Sequence, residues 1–167
     1  MTDLADQLAA AVIARLTERG ETLATAESLT GGSLGALLTG VPGASQAYRG
    51  GLIVYATDLK AALAGVSDET LARDGAVAPT TATELATGAA RRCGATWGLS
   101  TTGVAGPDRQ EGHPPGTVFV GLAGPDRPAE AHRLALTGDR AAIRRQTCAA
   151  ALELLLDRLT GIQRTSP

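Results

Sequence analysis

The chain has 167 residues, 44% of them hydrophobic and 2% aromatic, with a formal net charge of -2. That length suits one domain whose core is built from Ala, Leu, Val and Ile, and the composition argues against global disorder. The near-neutral charge argues against a general nucleic-acid or acidic-membrane binder, while leaving room for a local basic pocket.

Met1-Thr2-Asp3-Leu4 lacks the basic-then-apolar pattern of a signal peptide, and no apolar run is long enough to span a bilayer. A cytoplasmic protein is expected. From Leu4 to Arg19, apolar residues at Leu4, Leu8, Ala11, Val12 and Leu16 have helical spacing, and Gly20 stands where a C-cap residue would. Thr22 to Ala26 reads as a buried strand, and Thr30 to Leu38 as a helix ended by Gly40, Pro42 and Gly43. Gly51 to Tyr55 is a second strand, with a short helix over Asp58 to Ala64. Ser67 is an N-cap for another helix, and Pro79 opens a longer one through Cys93. Thr96 to Thr102 is a strand, followed by a Gly/Pro-rich loop from Gly103 to Gly116. Thr117 to Ala123 and Ala131 to Leu136 form a β-hairpin. A long helix covers Asp139 to Leu159, and the tail from Gly161 to Pro167 is expected to fray. The order of elements predicts an α/β domain, three-layer α/β/α, with a mixed, partly parallel sheet.

Cys93 and Cys148 form no CxxC or zinc-like spacing, so both are read as reduced, mostly buried thiols. In sheets of this kind ligands sit beyond the carboxyl ends of the strands, which directs attention to three segments. The first is Thr25-Ala26-Glu27-Ser28-Leu29-Thr30-Gly31-Gly32-Ser33. Free N–H groups at a helix start bind anions, so Ser28 or Thr30 is a candidate nucleophile beside an oxyanion hole. A cap role for both hydroxyls fits the spacing equally well. The segment is neither a Walker A loop nor a G-x-S-x-G elbow.

The second segment is Tyr55-Ala56-Thr57-Asp58-Leu59-Lys60. A serine nucleophile needs a base. His113 lies in a Pro/Gly loop and His132 in an edge strand, and both read better as structural or surface residues. Fifteen residues are Lys or Arg, and Lys60 is the only lysine. Lysine can lose its proton when desolvated and arginine cannot, so Lys60 is the natural partner for Ser28, with Tyr55 as relay or orienting group. The third segment, Ser100 to Asp108, ends a strand in hydroxyls and glycines. It could donate to an oxyanion or contact a ligand, or simply turn. Arg140 and Arg144 lie one helical turn apart, a pair suited to phosphate or to a solvated face.

Together these segments resemble the CinA C-terminal domain family, which includes stand-alone nicotinamide mononucleotide amidases (PncC). The resemblance covers roughly Leu4 to Leu159. It is carried by Thr25-Ala26-Glu27-Ser28-x-Thr30-Gly31-Gly32, then Gly75-Ala76-Val77, then Gly103-x-Ala105-Gly106-Pro107-Asp108. Pro115-Gly116-Thr117-Val118 and Gly138-Asp139-Arg140-x-x-Ile143-Arg144 complete it. It implies hydrolysis of nicotinamide mononucleotide to nicotinic acid mononucleotide and ammonia, with no metal and no cofactor. It implies Ser28 as nucleophile and Lys60 and Tyr55 as the base system. Thr30, Gly31, Gly32, Thr102, Gly103 and Gly106 would lie around the substrate, and Arg140 and Arg144 would be phosphate candidates. A small-molecule nucleotide partner and a homo-oligomer, a dimer, are expected. The chain departs from the family at Leu29, at Thr57, and at Arg109 and Gln110 after Gly-Pro-Asp. Full-length CinA proteins carry an additional N-terminal domain, for which this length leaves no room.

Overall fold

The computed structural model describes residues 3–162. Residues 163–167, most of the tail expected to fray, lie outside the described residues. The elements run α1 (Leu4–Arg19), β1 (Leu23–Glu27), α2 (Ser33–Thr39), a 3-10 turn (Ala44–Gln46), β2 (Tyr48–Ile53) and α3 (Thr57–Ala62). They continue through α4 (Asp68–Asp74), α5 (Pro79–Cys93), β3 (Trp97–Gly103), β4 (Thr117–Ala123), β5 (Glu130–Ala135) and α6 (Arg140–Thr160).

The helix signals are realised locally. Gly20 closes α1 at φ 63, a left-handed conformation that glycine adopts without a Cβ penalty. Ser67 caps α4 by accepting from the Thr70 amide, and Asp139 caps α6 by accepting from Ala142. Pro79 occupies the first turn of α5, where no helical N–H is needed.

The five strands form one mixed sheet in the order β2-β1-β3-β4-β5. The β1 strand pairs parallel with β2 and β3, while β3–β4 and β4–β5 are antiparallel. The α1, α2 and α6 helices cover one face, where Val12, Leu16, Leu34, Leu99, Leu152 and Leu155 share a core. On the other face, α5 and the α3–α4 region pack through Ala24, Ala26, Val54, Ala64, Leu85 and Ala89. This is the expected three-layer α/β/α architecture. The thiol of Cys148 is buried in the first layer, which pushes its pKa up to about 12, and Cys93 is half-buried.

Alternation along the central strands decides which side chains reach which layer. In β1, Leu23, Thr25 and Glu27 face α2, while Ala24 and Ala26 face α5. In β3, Thr101 meets Thr30, whereas Ser100 and Thr102 donate to Ala82 O and Ala76 O around α5. The α5 helix approaches the sheet closely because Gly98 and Gly121 lack side chains. A Cβ at Gly98 would stand 1.8 Å from the Ala86 carbonyl oxygen, and one at Gly121 2.0 Å from that of Ala82. Gly98→Ala must therefore lift α5 off β3. The expected cost is about 3 kcal/mol, as for severe overpacking, read as a lower urea midpoint at unchanged slope.

Several boundaries shift by a residue or two, and two shifts by three residues have a structural reason. The β2 strand runs from Tyr48 to Ile53 rather than from Gly51 to Tyr55, so Gly50 joins Gly51 as a strand residue. Gly51 leaves room for the Tyr48 hydroxyl, which bonds Thr25 Oγ1 at 2.7 Å; a Cβ there would lie 2.3 Å from that oxygen. The α2 helix begins at Ser33, because Gly31 and Gly32 at φ 56 and 100 form a turn before it.

Candidate active site

The parallel strands β1, β2 and β3 all end on one side of the sheet, and the chain leaving each builds a cleft there. The cleft has a volume of about 450 Å³ and is lined by Ser28, Tyr55, Gly103, Gly106, Asp108 and Arg140, among others.

Ser28 follows Glu27 directly, so its side chain turns toward the α5 face of the sheet. It is 7% exposed, and its amide donates to Thr101 O, fixing it on β3. Lys60 lies in α3 and is 1% exposed. Its Nζ is 3.0 Å from Ser28 Oγ, 2.8 Å from Val54 O and 3.2 Å from Tyr55 O. Burial lowers its pKa to about 8, against the opposing charge of Glu111. These contacts satisfy an ammonium, whose three protons meet three oxygens. They also suit the neutral amine: two N–H groups stay on the two carbonyls and the lone pair faces the serine hydroxyl. The site can therefore take a proton from Ser28 and return it.

Of the two hydroxyls left open in the first segment, only Ser28 meets the lysine. Thr30 is fully buried and donates to Glu27 Oε1 at 2.7 Å, with Thr101 Oγ1 2.8 Å away. The anion at the start of α2 is the chain's own Glu27. This buried carboxylate accepts from Gly32 N, Leu34 N and Gly35 N at 3.2, 2.9 and 3.0 Å. The Gly31 amide donates to Ser28 O and that of Ser33 to Thr30 O. Gly31 and Gly32 thus shape the turn, and their N–H groups are engaged within the protein. Among the described residues, the amides of Leu29 and Thr30 have no acceptor, so they are the donors available next to Ser28.

Arg144 was a phosphate candidate, and the structure places it elsewhere. Its Nε donates to Leu29 O at 3.0 Å, and its Nη2 donates to Thr30 O at 3.0 Å and Ser33 Oγ at 3.2 Å. It holds the turn that carries Ser28. Since the carbonyl and N–H of one peptide point in opposite directions, fixing Leu29 O also fixes the Thr30 N–H. Arg140 does face the cleft, donating to Gly106 O and to the Tyr55 hydroxyl at 2.8 and 3.0 Å. With two contacts made, N–H groups remain on its five-donor fork for an anion.

Tyr55 is 59% exposed and its phenol is bound by Arg140, so its hydroxyl is not brought to the serine–lysine pair. The residue lies beyond the end of β2; its backbone carbonyl meets Lys60 while its ring turns to the cleft rim. The Thr102 hydroxyl is held by Ala76 O and is buried beneath the cleft rather than lining it. Gly103 and Gly106 do line it. His113 sits in a loop bridged to Gln110, and His132 stands on β5 beside Glu130 at 3.4 Å. Two carboxylates near the cleft have no role assignable from motif or spacing. Glu27 was legible in principle, since strand alternation sends it into the α2 layer, where a buried charge needs donors. Glu111, whose Oε1 and Oε2 each accept an amide hydrogen bond of 2.9 Å from Ala76 and Val77, carried no local signal.

The fold and cleft define a three-layer α/β domain with a buried lysine bonded to a serine at the strand ends. Residues 5–159 match the family model described as CinA C-terminal domain. The chain belongs to the CinA C-terminal domain family. It is 49% identical over 157 residues to a CinA-like protein of Frankia casuarinae, covering 94% of this chain and 36% of that one. A CinA-like protein of Myxococcus xanthus is 41% identical over 158 residues, with 94% and 38% covered. The chain thus spans just over a third of the length of these curated relatives. Among solved structures, competence/damage inducible protein CihA from Agrobacterium tumefaciens superposes with a TM-score of 0.90 at 33% identity, covering 96% of this chain and 98% of that one. A CinA superfamily protein from Klebsiella pneumoniae gives 0.90 at 32% identity, with 94% and 98% covered. Among the described residues no helix is long and apolar enough to cross a membrane, and no group of His, Cys, Asp and Glu is arranged to hold a metal ion.

Proposed function

We propose that this chain hydrolyses the carboxamide of nicotinamide mononucleotide, giving nicotinic acid mononucleotide and ammonia through an acyl-serine intermediate. The observation that carries this reading is the contact of Lys60 Nζ with Ser28 Oγ at 3.0 Å, with two backbone carbonyls on the remaining donors. The family resemblance supplies the substrate.

Neutral Lys60 removes the Ser28 proton as Oγ attacks the carboxamide carbon. The developing oxyanion meets the Leu29 and Thr30 amides, in the turn that Arg144 steadies. The C–N bond breaks as Lys60 returns its proton to the leaving nitrogen, and ammonia departs. Water, deprotonated by the same amine, then opens the Ser28 ester.

Arg140 sits at the open side of the cleft and receives the phosphate, while the carboxamide points inward to Ser28. The test is enzyme-coupled ammonia release from nicotinamide mononucleotide and from the phosphate-free riboside. Arg140→Gln should raise KM for the nucleotide about tenfold, the loss of one charge-assisted contact, and change riboside turnover little. No ammonia from either compound with folded wild-type protein overturns the proposal.

A further inference from the structure

The loop between β3 and β4 forms one wall of the cleft, and a single side chain fastens its far side. Glu111 takes a positive φ of 50, unusual for a residue with a side chain, and reaches across to the α4–α5 connection. There its two carboxylate oxygens accept from the consecutive amides of Ala76 and Val77, each at 2.9 Å. Gly75 gives it space: a Cβ at that position would lie 2.5 Å from Glu111 Oε2. The carbonyl of Ala76 is held in turn by Thr102 Oγ1 at 2.6 Å, so the clamp joins loop, helix start and β3. Glu111 follows Arg109 and Gln110, where this chain departs from the usual family pattern.

The clamp also bears on the catalytic pair. Glu27 faces α2 on the opposite side of β1, and Asp58 lies in the first turn of the helix carrying Lys60. Asp108, Arg109 and Arg140 line the outer cleft with the Tyr55 phenol. Held by the Ala76 and Val77 amides, the Glu111 carboxylate favours the Lys60 ammonium and so opposes the larger effect of burial.

We propose that Glu111 is a positioning residue that fastens the 104–116 loop to the start of α5 and, fixed there, acts through its charge on Lys60. The proposal rests on the reading of Lys60 as the base for Ser28, and its test needs no substrate. Lys60 is the only lysine of the sequence, so protein labelled with 13Cε-lysine gives one side-chain signal that can be titrated directly. In Glu111→Gln the negative charge is gone, and one of the two amides faces an NH2 group instead of an acceptor. The ammonium is then less favoured, and the Lys60 midpoint should fall by about half a pH unit or more. Hydrogen exchange at the Ala76 and Val77 amides should quicken. Glu111→Asp keeps the charge but shortens the reach. It should titrate near the wild type while those two amides exchange faster. A Lys60 midpoint identical in wild type and Glu111→Gln overturns the proposal, as does an equal fall in the Asp and Gln variants. Either result stands whether or not the protein turns over a pyridine nucleotide.

Discussion

Ser28→Ala is expected to lower ammonia release from nicotinamide mononucleotide by about a thousandfold or more, equivalent to roughly 4 kcal/mol of transition-state stabilisation. The substitution is small and lies at a buried position, so the fold should tolerate it. Nucleotide affinity should change little, because in the proposed binding mode the phosphate meets Arg140 at the outer cleft and not the hydroxyl. The loss should therefore fall on kcat and leave the dissociation constant near the wild-type value. A second readout tests the covalent step. Wild-type protein quenched during turnover should carry the nicotinoyl-nucleotide acyl group on the peptide containing Ser28, and the alanine variant should carry none. Full activity in Ser28→Ala would remove the nucleophile from the scheme and move attention to a water held by Lys60.

The elements were legible because their signals are local. A 3.6-residue apolar repeat, Gly20, Ser67, Pro79 and Asp139 set helix limits that the tertiary structure did not override. The limits that moved are tertiary in origin. The apolar run of β2 reads from Gly51, yet the strand starts at Tyr48, because paired glycines weaken a strand signal while the Tyr48–Thr25 contact needs the space at Gly51. Chemical elimination pairs Ser28 with Lys60 from a hydroxyl beside glycines and a single lysine, and the structure places the two side chains 3.0 Å apart. The surroundings of the pair were less legible. Arg144 and Arg140 are one turn apart in sequence, and nothing local says that one holds backbone carbonyls while the other faces the cleft. Tyr55 was assigned by proximity to Lys60, but it is the Tyr55 carbonyl that makes the contact, and backbone carbonyls have no sequence signature. The helix start looked like an oxyanion site because free amides belong there; Glu27, from the preceding strand, takes them first.

Lys60→Arg is expected to reduce the rate at least as severely as loss of the serine, and it tests the base more sharply than truncation. Arginine keeps the positive charge but stays protonated throughout the accessible pH range, so it cannot accept the Ser28 proton. Its planar fork also cannot match two carbonyls and one hydroxyl placed around a single nitrogen at 2.8, 3.2 and 3.0 Å. The wild-type rate should itself follow Lys60. With burial lowering its pKa to about 8, roughly one molecule in ten holds the neutral amine at pH 7. The free enzyme's kcat/KM should rise with pH and level off above 8, the sign required of a base that acts unprotonated. In Lys60→Arg that rising limb should vanish along with the activity. Lys60→Ala opens the same position instead of filling it, and a small primary amine such as ethylamine should restore part of the rate, more so as pH rises. Rescue independent of pH, or a rising limb that survives in Lys60→Arg, would assign the proton transfer to another group.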